Sequence, residues 1–107
     1  SFVAGFIGNP AMNLVDGAIQ DGEFNSAFFN FRCAIPYQGK ITLGIRPQNI
    51  KICSDQDAFG SGRIFSSEMT GEYSLINLKA ADKQLCIKED RNFLGKIDEL
   101  IHFNFEI

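Results

Sequence analysis

The chain has 107 residues, and its ten Lys plus Arg against 13 Asp plus Glu leave a formal net charge of −3. That balance, with no run of Lys or Arg, works against non-specific nucleic-acid binding, which needs clustered cations to displace counterions from phosphates. A hydrophobic fraction of 45% and only three prolines exclude a disordered chain and bound the molecule to one domain able to bury its own core.

At the front, Phe2, Val3, Phe6 and Ile7 fall on one side of a 3.6-residue helix, and Gly8 and Pro10 stop it within about two turns. Isolated helices shorter than roughly 12–15 residues are marginal in water. The stripe therefore predicts either a longer helix upstream or a surface that covers it. No basic segment precedes it, so residues 1–7 do not read as a signal peptide. Nowhere does an apolar run approach the ~20 residues that span a bilayer.

Everything after Pro10 reads as strand and turn. Asp21-Gly22, between Ala18-Ile19-Gln20 and Glu23-Phe24-Asn25, favours the positive φ angles of a type I′ turn and predicts a hairpin. The second arm is expected to run on through Ala27, Phe29, Phe31, Cys33 and Ile35 on one face, with Phe28, Asn30, Arg32 and Ala34 on the other. Pro36 and Gly39 end it. Next, Ile41, Leu43 and Ile45 alternate with Thr42, Gly44 and Arg46. Pro47 suits the start of a single helical turn, followed by a short strand over 51–53. Residues 54–62, "SDQDAFGSG", form the clearest loop. Strands are predicted over 63–69 and 73–80 around Thr70-Gly71-Glu72, and a short one over 84–88. In the tail Ile101, Phe103, Phe105 and Ile107 point inward and His102, Asn104 and Glu106 outward. Seven or eight short strands at this spacing predict a sandwich or small barrel. Eleven phenylalanines and no tryptophan predict a core of packed Phe rings.

Chemistry is sparse. Cys33, Cys53 and Cys86 form no Cys-x-x-Cys unit, leaving zinc and thioredoxin-like sites unsupported; free, mostly buried thiols of a reducing cytoplasm are expected. Gly39-Lys40 and Gly95-Lys96 lack both the upstream Gly and the following Ser or Thr of a phosphate-binding loop. "DQDAFG" begins like a calcium loop, but Phe59 and Ser66 stand where ligands are needed, so a polar turn is expected. His102 alternates with buried positions and reads as an exposed strand histidine. The aromatic run "FFNF", Phe28 to Phe31, reads as core, because only Arg32 lies nearby to follow a nucleic-acid backbone. Arg46 stands out: the proline after it restrains its backbone, and its planar fork suits a carboxylate such as Glu68 or a neighbouring chain.

"FVAGFIGNPAMN" closely resembles the end of the nucleotide-binding domain in ATPase subunits of sugar ABC importers of the maltose and glycerol-3-phosphate type. "LGIRPQNI" resembles that family's Leu-Gly-Ile-Arg-Pro-Glu-His-Ile signature, with Gln48-Asn49 in place of Glu-His. "GSGRIFSSEMTGEYSLINL" follows its Gly-x-Val-x-x-x-Glu-x-x-Gly-x-Glu-Thr segment at Gly62, Ile64, Glu68 and Gly71, with Tyr73 replacing the second Glu. No closing His-Leu-Phe-Asp motif is visible after Ile101. The likeness runs from Phe2 to about Ile87.

The resemblance implies a mainly β, OB-fold-like small barrel of the TOBE kind with a short N-terminal helix remnant. Residues 1–9 would end the preceding nucleotide-binding domain's last helix, and residues 10–107 would form the C-terminal regulatory domain. It further implies a homodimer-bracing role behind a permease at the cytoplasmic face of the membrane, with a second copy of the subunit, the permease and a regulatory protein as partners. ATP and Mg²⁺ would belong to the upstream domain, and no cofactor, metal, catalytic residue or nucleic acid is expected here. Arg46, Pro47, Glu68 and Gly71 are the structural or interface candidates, with Phe2, Val3, Phe6 and Ile7 as an exposed helix stripe. The alternative is an OB-fold module for a small ligand or oxyanion, or for single-stranded nucleic acid.

Overall fold

A computed structural model of the chain describes residues 10–106; the expected helix remnant with Phe2, Val3, Phe6 and Ile7, and the inward Ile107, lie outside them. Within them run nine strands: β1 Asn13–Gln20, β2 Glu23–Ser26, β3 Asn30–Arg32, β4 Gly39–Ile45, β5 Ile50–Ile52, β6 Gly60–Met69, β7 Tyr73–Ala80, β8 Lys83–Asp90 and β9 Leu100–Phe105. Single 3₁₀ turns occupy Pro47–Asn49 and Asp55–Asp57. The strands form a four-stranded sheet, β3-β2-β1-β4, and a five-stranded sheet, β5-β9-β6-β7-β8. The ends of the five-stranded strip, β5 and β8, come back into contact, so the sheet nearly closes as a barrel.

The first hairpin forms as its turn chemistry requires. Asp21 and Gly22 hold φ of 52° and 78°, the two positive angles of a type I′ turn, and Gln20 pairs with Glu23. The expected long second arm does not form. β2 stops at Ser26, and β3 turns back to pair antiparallel with it, Phe24 opposite Phe31. The Ser26 hydroxyl makes this reversal: it accepts from the Phe28 and Phe29 N–H groups at 3.2 and 3.0 Å and donates to the Phe29 carbonyl at 2.8 Å. A side-chain oxygen that takes backbone donors competes with the ladder and ends the strand. From Phe29 to Ala34 the period-2 expectation holds, and it fails at Ala27, Phe28 and Ile35. Phe28 and Phe29 are both buried, whereas Ala27 and Ile35 face water. This second hairpin also raises the strand number to nine, where seven or eight were expected.

Elsewhere the alternation holds with boundaries shifted by a few residues. β5 begins at Ile50 and β6 at Gly60, because the loop before β6 already pairs: Gly60 faces Phe103 on β9 and bridges to Phe29. A Cβ on Gly60 would strike the Phe28 carbonyl oxygen and come within 2.7 Å of the Phe29 Cβ, so only glycine lets the two sheets approach here. On β6 the register slips between Ile64 and Ser66. There Ile64 exchanges hydrogen bonds with the 98–99 segment: its carbonyl accepts from Asp98 N–H at 2.7 Å, and its N–H donates to the Glu99 carbonyl at 3.0 Å. The bulge thus hands β6 from β9 to the preceding loop.

Between the sheets lies one aromatic core. Phe29 packs against the rings of Phe24, Phe28, Phe31, Phe103 and Phe105 at centroid separations of 5.0–6.5 Å. Tilted and edge-on contacts dominate, as the ring quadrupoles favour. Ile64, Ile76, Leu78, Leu85 and Ile87 fill the closed end of the strip. Asn13 ties the two sheets together. Its side-chain amide donates to the carbonyls of Ile45 and Cys86 at 3.1 and 2.9 Å and accepts from the Cys86 N–H at 2.8 Å. One carboxamide thereby pairs with β8, an edge strand, as a further strand would, satisfying backbone groups that burial would otherwise penalise.

Candidate functional site

The inner faces of β4 and β1 do not fill their side of the core. Ile41 and Leu43 remain half-buried, and β4 ends the four-stranded sheet while β5 ends the other. Where these edges diverge, a groove of about 350 Å³ opens over Ile19, Phe24, Phe31 and Phe105, with Arg46, Asn49 and Glu106 as its charged or amide groups. Its lining is predominantly apolar.

Local sequence sets the Arg46 position. The residue is extended (φ −75°, ψ 141°), and the proline after it opens the 3₁₀ turn. The Arg46 carbonyl accepts from Asn49 N–H at 2.9 Å. Pro47 is fully buried, where the turn packs against β8. The Arg46 side chain, by contrast, is exposed. Among the described residues the contact between a basic and an acidic side chain is His102 Nδ1 with Asp55 Oδ1, at 3.6 Å, an ion pair only when the imidazole is protonated. Arg46 therefore does not pair with Glu68, the carboxylate its sequence context suggested, or with any other described carboxylate. Its backbone is placed by proline, but no carboxylate-bearing strand reaches its fork.

Glu68 and Gly71 sit apart from Arg46 and Pro47, on the β6–β7 hairpin. Glu68 is exposed and accepts from the Asn77 amide at 3.4 Å. Gly71 turns the chain at φ 97° with open space around it, and its carbonyl accepts from Arg91 at 3.4 Å. Phe28, Phe29 and Phe31 are core residues, which removes them as an exposed stacking platform. His102 is partly exposed on β9, as its alternation predicted. Together with Asn104, whose amide donates to the Asp57 carbonyl at 3.1 Å, it holds the Asp55–Asp57 turn against the strand.

The cysteines are free: Cys33 is buried and lines the groove, while Cys53 and Cys86 are half-buried. Burial, and secondarily the Glu68 carboxylate, pushes the Cys86 thiol up to about 11; burial, then Asp57, raises Cys53. Both are thus poor nucleophiles near neutral pH. Because the folded state holds the Cys86 proton more tightly, stability falls as pH rises from about 9 to about 11. In urea titrations at pH 8 and pH 10.5, Cys86→Ala is expected to lose less stability between the two than the parent chain; equal losses would count against it. No group of three or more His, Cys, Asp or Glu converges as a metal site among the described residues, and no described helix is long and apolar enough to cross a membrane.

Sequence reasoning missed Asn13, Glu106 and the groove. A lone Asn carries no pattern, and Glu106 read simply as an outward residue.

The nearly closed strip backed by a second sheet defines a small OB-like β domain. By sequence the chain is related to the ATP-binding subunits of sugar ABC importers. It is 36% identical over 107 aligned positions to the sn-glycerol-3-phosphate import ATP-binding protein UgpC of Brucella abortus, covering 94% of this chain and 29% of that protein. The xylose/arabinose import ATP-binding protein XacK of Haloferax volcanii is 32% identical over 76% of this chain and 23% of its own length. The ABC transporter ATP-binding protein YcjV of Escherichia coli is 28% identical over 81% of this chain and 27% of its own. The chain thus spans less than a third of the length of each. No protein-family model matches it.

Proposed function

We propose that this chain is the C-terminal, TOBE-type regulatory and dimer-bracing domain of the ATP-binding subunit of a carbohydrate importer, itself non-catalytic. The observation that carries this reading is the coverage: nearly the whole chain matches less than a third of an import ATP-binding protein. The β architecture fits a module beside the nucleotide machinery, and the sequence lacks a phosphate-binding loop. ATP and Mg²⁺ would be held by the remainder of such a protein. The permease would be reached through that remainder, at the cytoplasmic face of the membrane.

The physical benefit is effective concentration. A rigid barrel on each subunit that binds its copy keeps two ATPase halves together while they open and close. Arg46, with a restrained backbone and no carboxylate partner among the described residues, is assigned to that interface. The test is sedimentation equilibrium of the chain beside an ATPase assay. Reversible self-association without ATP turnover is expected. Arg46→Ala should weaken association about tenfold and leave the melting temperature unchanged, since the side chain is exposed and has no carboxylate partner among the described residues. ATP hydrolysis by this chain, or a strict monomer at high concentration, would refute the reading.

A further inference from the structure

The groove has features that bracing does not require. Its volume of about 350 Å³ falls in the range of small-ligand sites, roughly 300–1,000 Å³, and such sites combine an apolar body with a few placed polar groups. Here the accessible body is Met12, Ile35, Ile41 and Leu43 over the buried rings of Phe24, Phe31 and Phe105, and the opposite charges of Arg46 and Glu106 border the same space. These two charges do not pair with each other or with any other described residue.

This charge pattern discriminates among ligands. A simple carboxylate drawn to the Arg46 fork also meets the Glu106 carboxylate. A simple amine drawn to Glu106 meets Arg46. A neutral apolar molecule leaves both charges without a counter-charge. A zwitterion with carboxylate and ammonium on one carbon answers both, and an apolar substituent on that carbon reaches the aliphatic lining of the groove.

We propose that this groove binds a free α-amino acid with a branched or aromatic apolar side chain. The Arg46 guanidinium takes the carboxylate through two parallel N–H···O bonds. Glu106 accepts from the ammonium, and the side chain covers the accessible apolar lining, Ile35, Ile41 and Leu43. This goes beyond the bracing role but draws on the same Arg46 fork, so ligand binding and self-association are expected to compete for it.

Isothermal titration of the intact chain with L-leucine, L-isoleucine and L-phenylalanine tests the assignment. Isocaproate, isoamylamine, isoamyl alcohol and glycine serve as the acid, amine, neutral and headgroup-only probes. At least one apolar amino acid should bind saturably below about 1 mM, with each of the four probes at least about tenfold weaker. Arg46→Ala should weaken amino-acid binding about tenfold or more. Glu106→Gln should raise isocaproate to parity with leucine, because the repelling carboxylate is gone. Both positions are exposed, and melting curves verify that the variants fold. No saturable heat with any apolar amino acid, isocaproate or the alcohol binding as well as leucine in the parent chain, or equal binding by both variants overturns the proposal. Sedimentation in the absence of ligand reads the bracing role separately.

Discussion

Phe29→Ala is expected to cost about 3–5 kcal/mol, the usual range for removing a buried ring. Phe29 is 2% exposed and meets five other rings, so little of the space can close by a single rotamer change. It also bridges to Gly60, the point where the two sheets approach. A domain of this size has a total stability of about 5–15 kcal/mol, and the expected loss corresponds to a fall in melting temperature of more than about 12 °C. Thermal unfolding followed by far-UV circular dichroism measures it. Phe59→Ala provides the contrast: that ring stacks on Phe31 at 5.5 Å but is only partly buried, and the expected loss is smaller. If the two variants melt together, the core does not centre on Phe29.

Asn13→Ala is expected to cost about 2–3 kcal/mol. The variant leaves the Ile45 and Cys86 carbonyls and the Cys86 N–H without the carboxamide, and each buried polar group stripped of its partner costs ~1–3 kcal/mol, less where water can reach it. Asn13→Asp should be worse at neutral pH despite its closer shape. It replaces a donor between two carbonyl oxygens by a charged acceptor, and the loss should shrink at acid pH as the carboxyl gains a proton to donate. Urea titration at pH 7 and pH 4 separates the cases. An aspartate variant more stable than the alanine variant at pH 7 would show that the amide does not bridge the sheets. Hydrogen exchange adds a local readout, with the Cys86 amide the first on β8 to lose protection.

Both effects concern how two sheets are joined, and this is where local pattern stops being informative. The Asp21-Gly22 turn, the alternation of β4 and β9, and the β6–β7 hairpin were legible because each depends on neighbours within a few residues. The sequence resemblance was legible too, since "LGIRPQNI" and the glycine-spaced segment after it are contiguous strings. The reversal at Ser26 was not. Period-2 alternation carries Phe28 outward, but a hydroxyl with three backbone partners ends the strand and turns both Phe28 and Phe29 inward.

For the candidate site, sequence placed Arg46 at the end of an apolar strand and before a proline, and nothing more. Whether its fork meets a carboxylate depends on which strands surround it, a relation between residues far apart in the chain. Tertiary structure gave Arg46 no carboxylate partner among the described residues and set Glu106 on the lining of the same groove, whose buried base comes from β1, β2, β3 and β9. It likewise put Asn13 against Cys86, 73 positions away. Short-range backbone preference and side-chain alternation thus determined the turns and most strands. Long-range packing, which satisfies distant polar groups and closes or leaves open a core, decided the joint between the sheets and the groove.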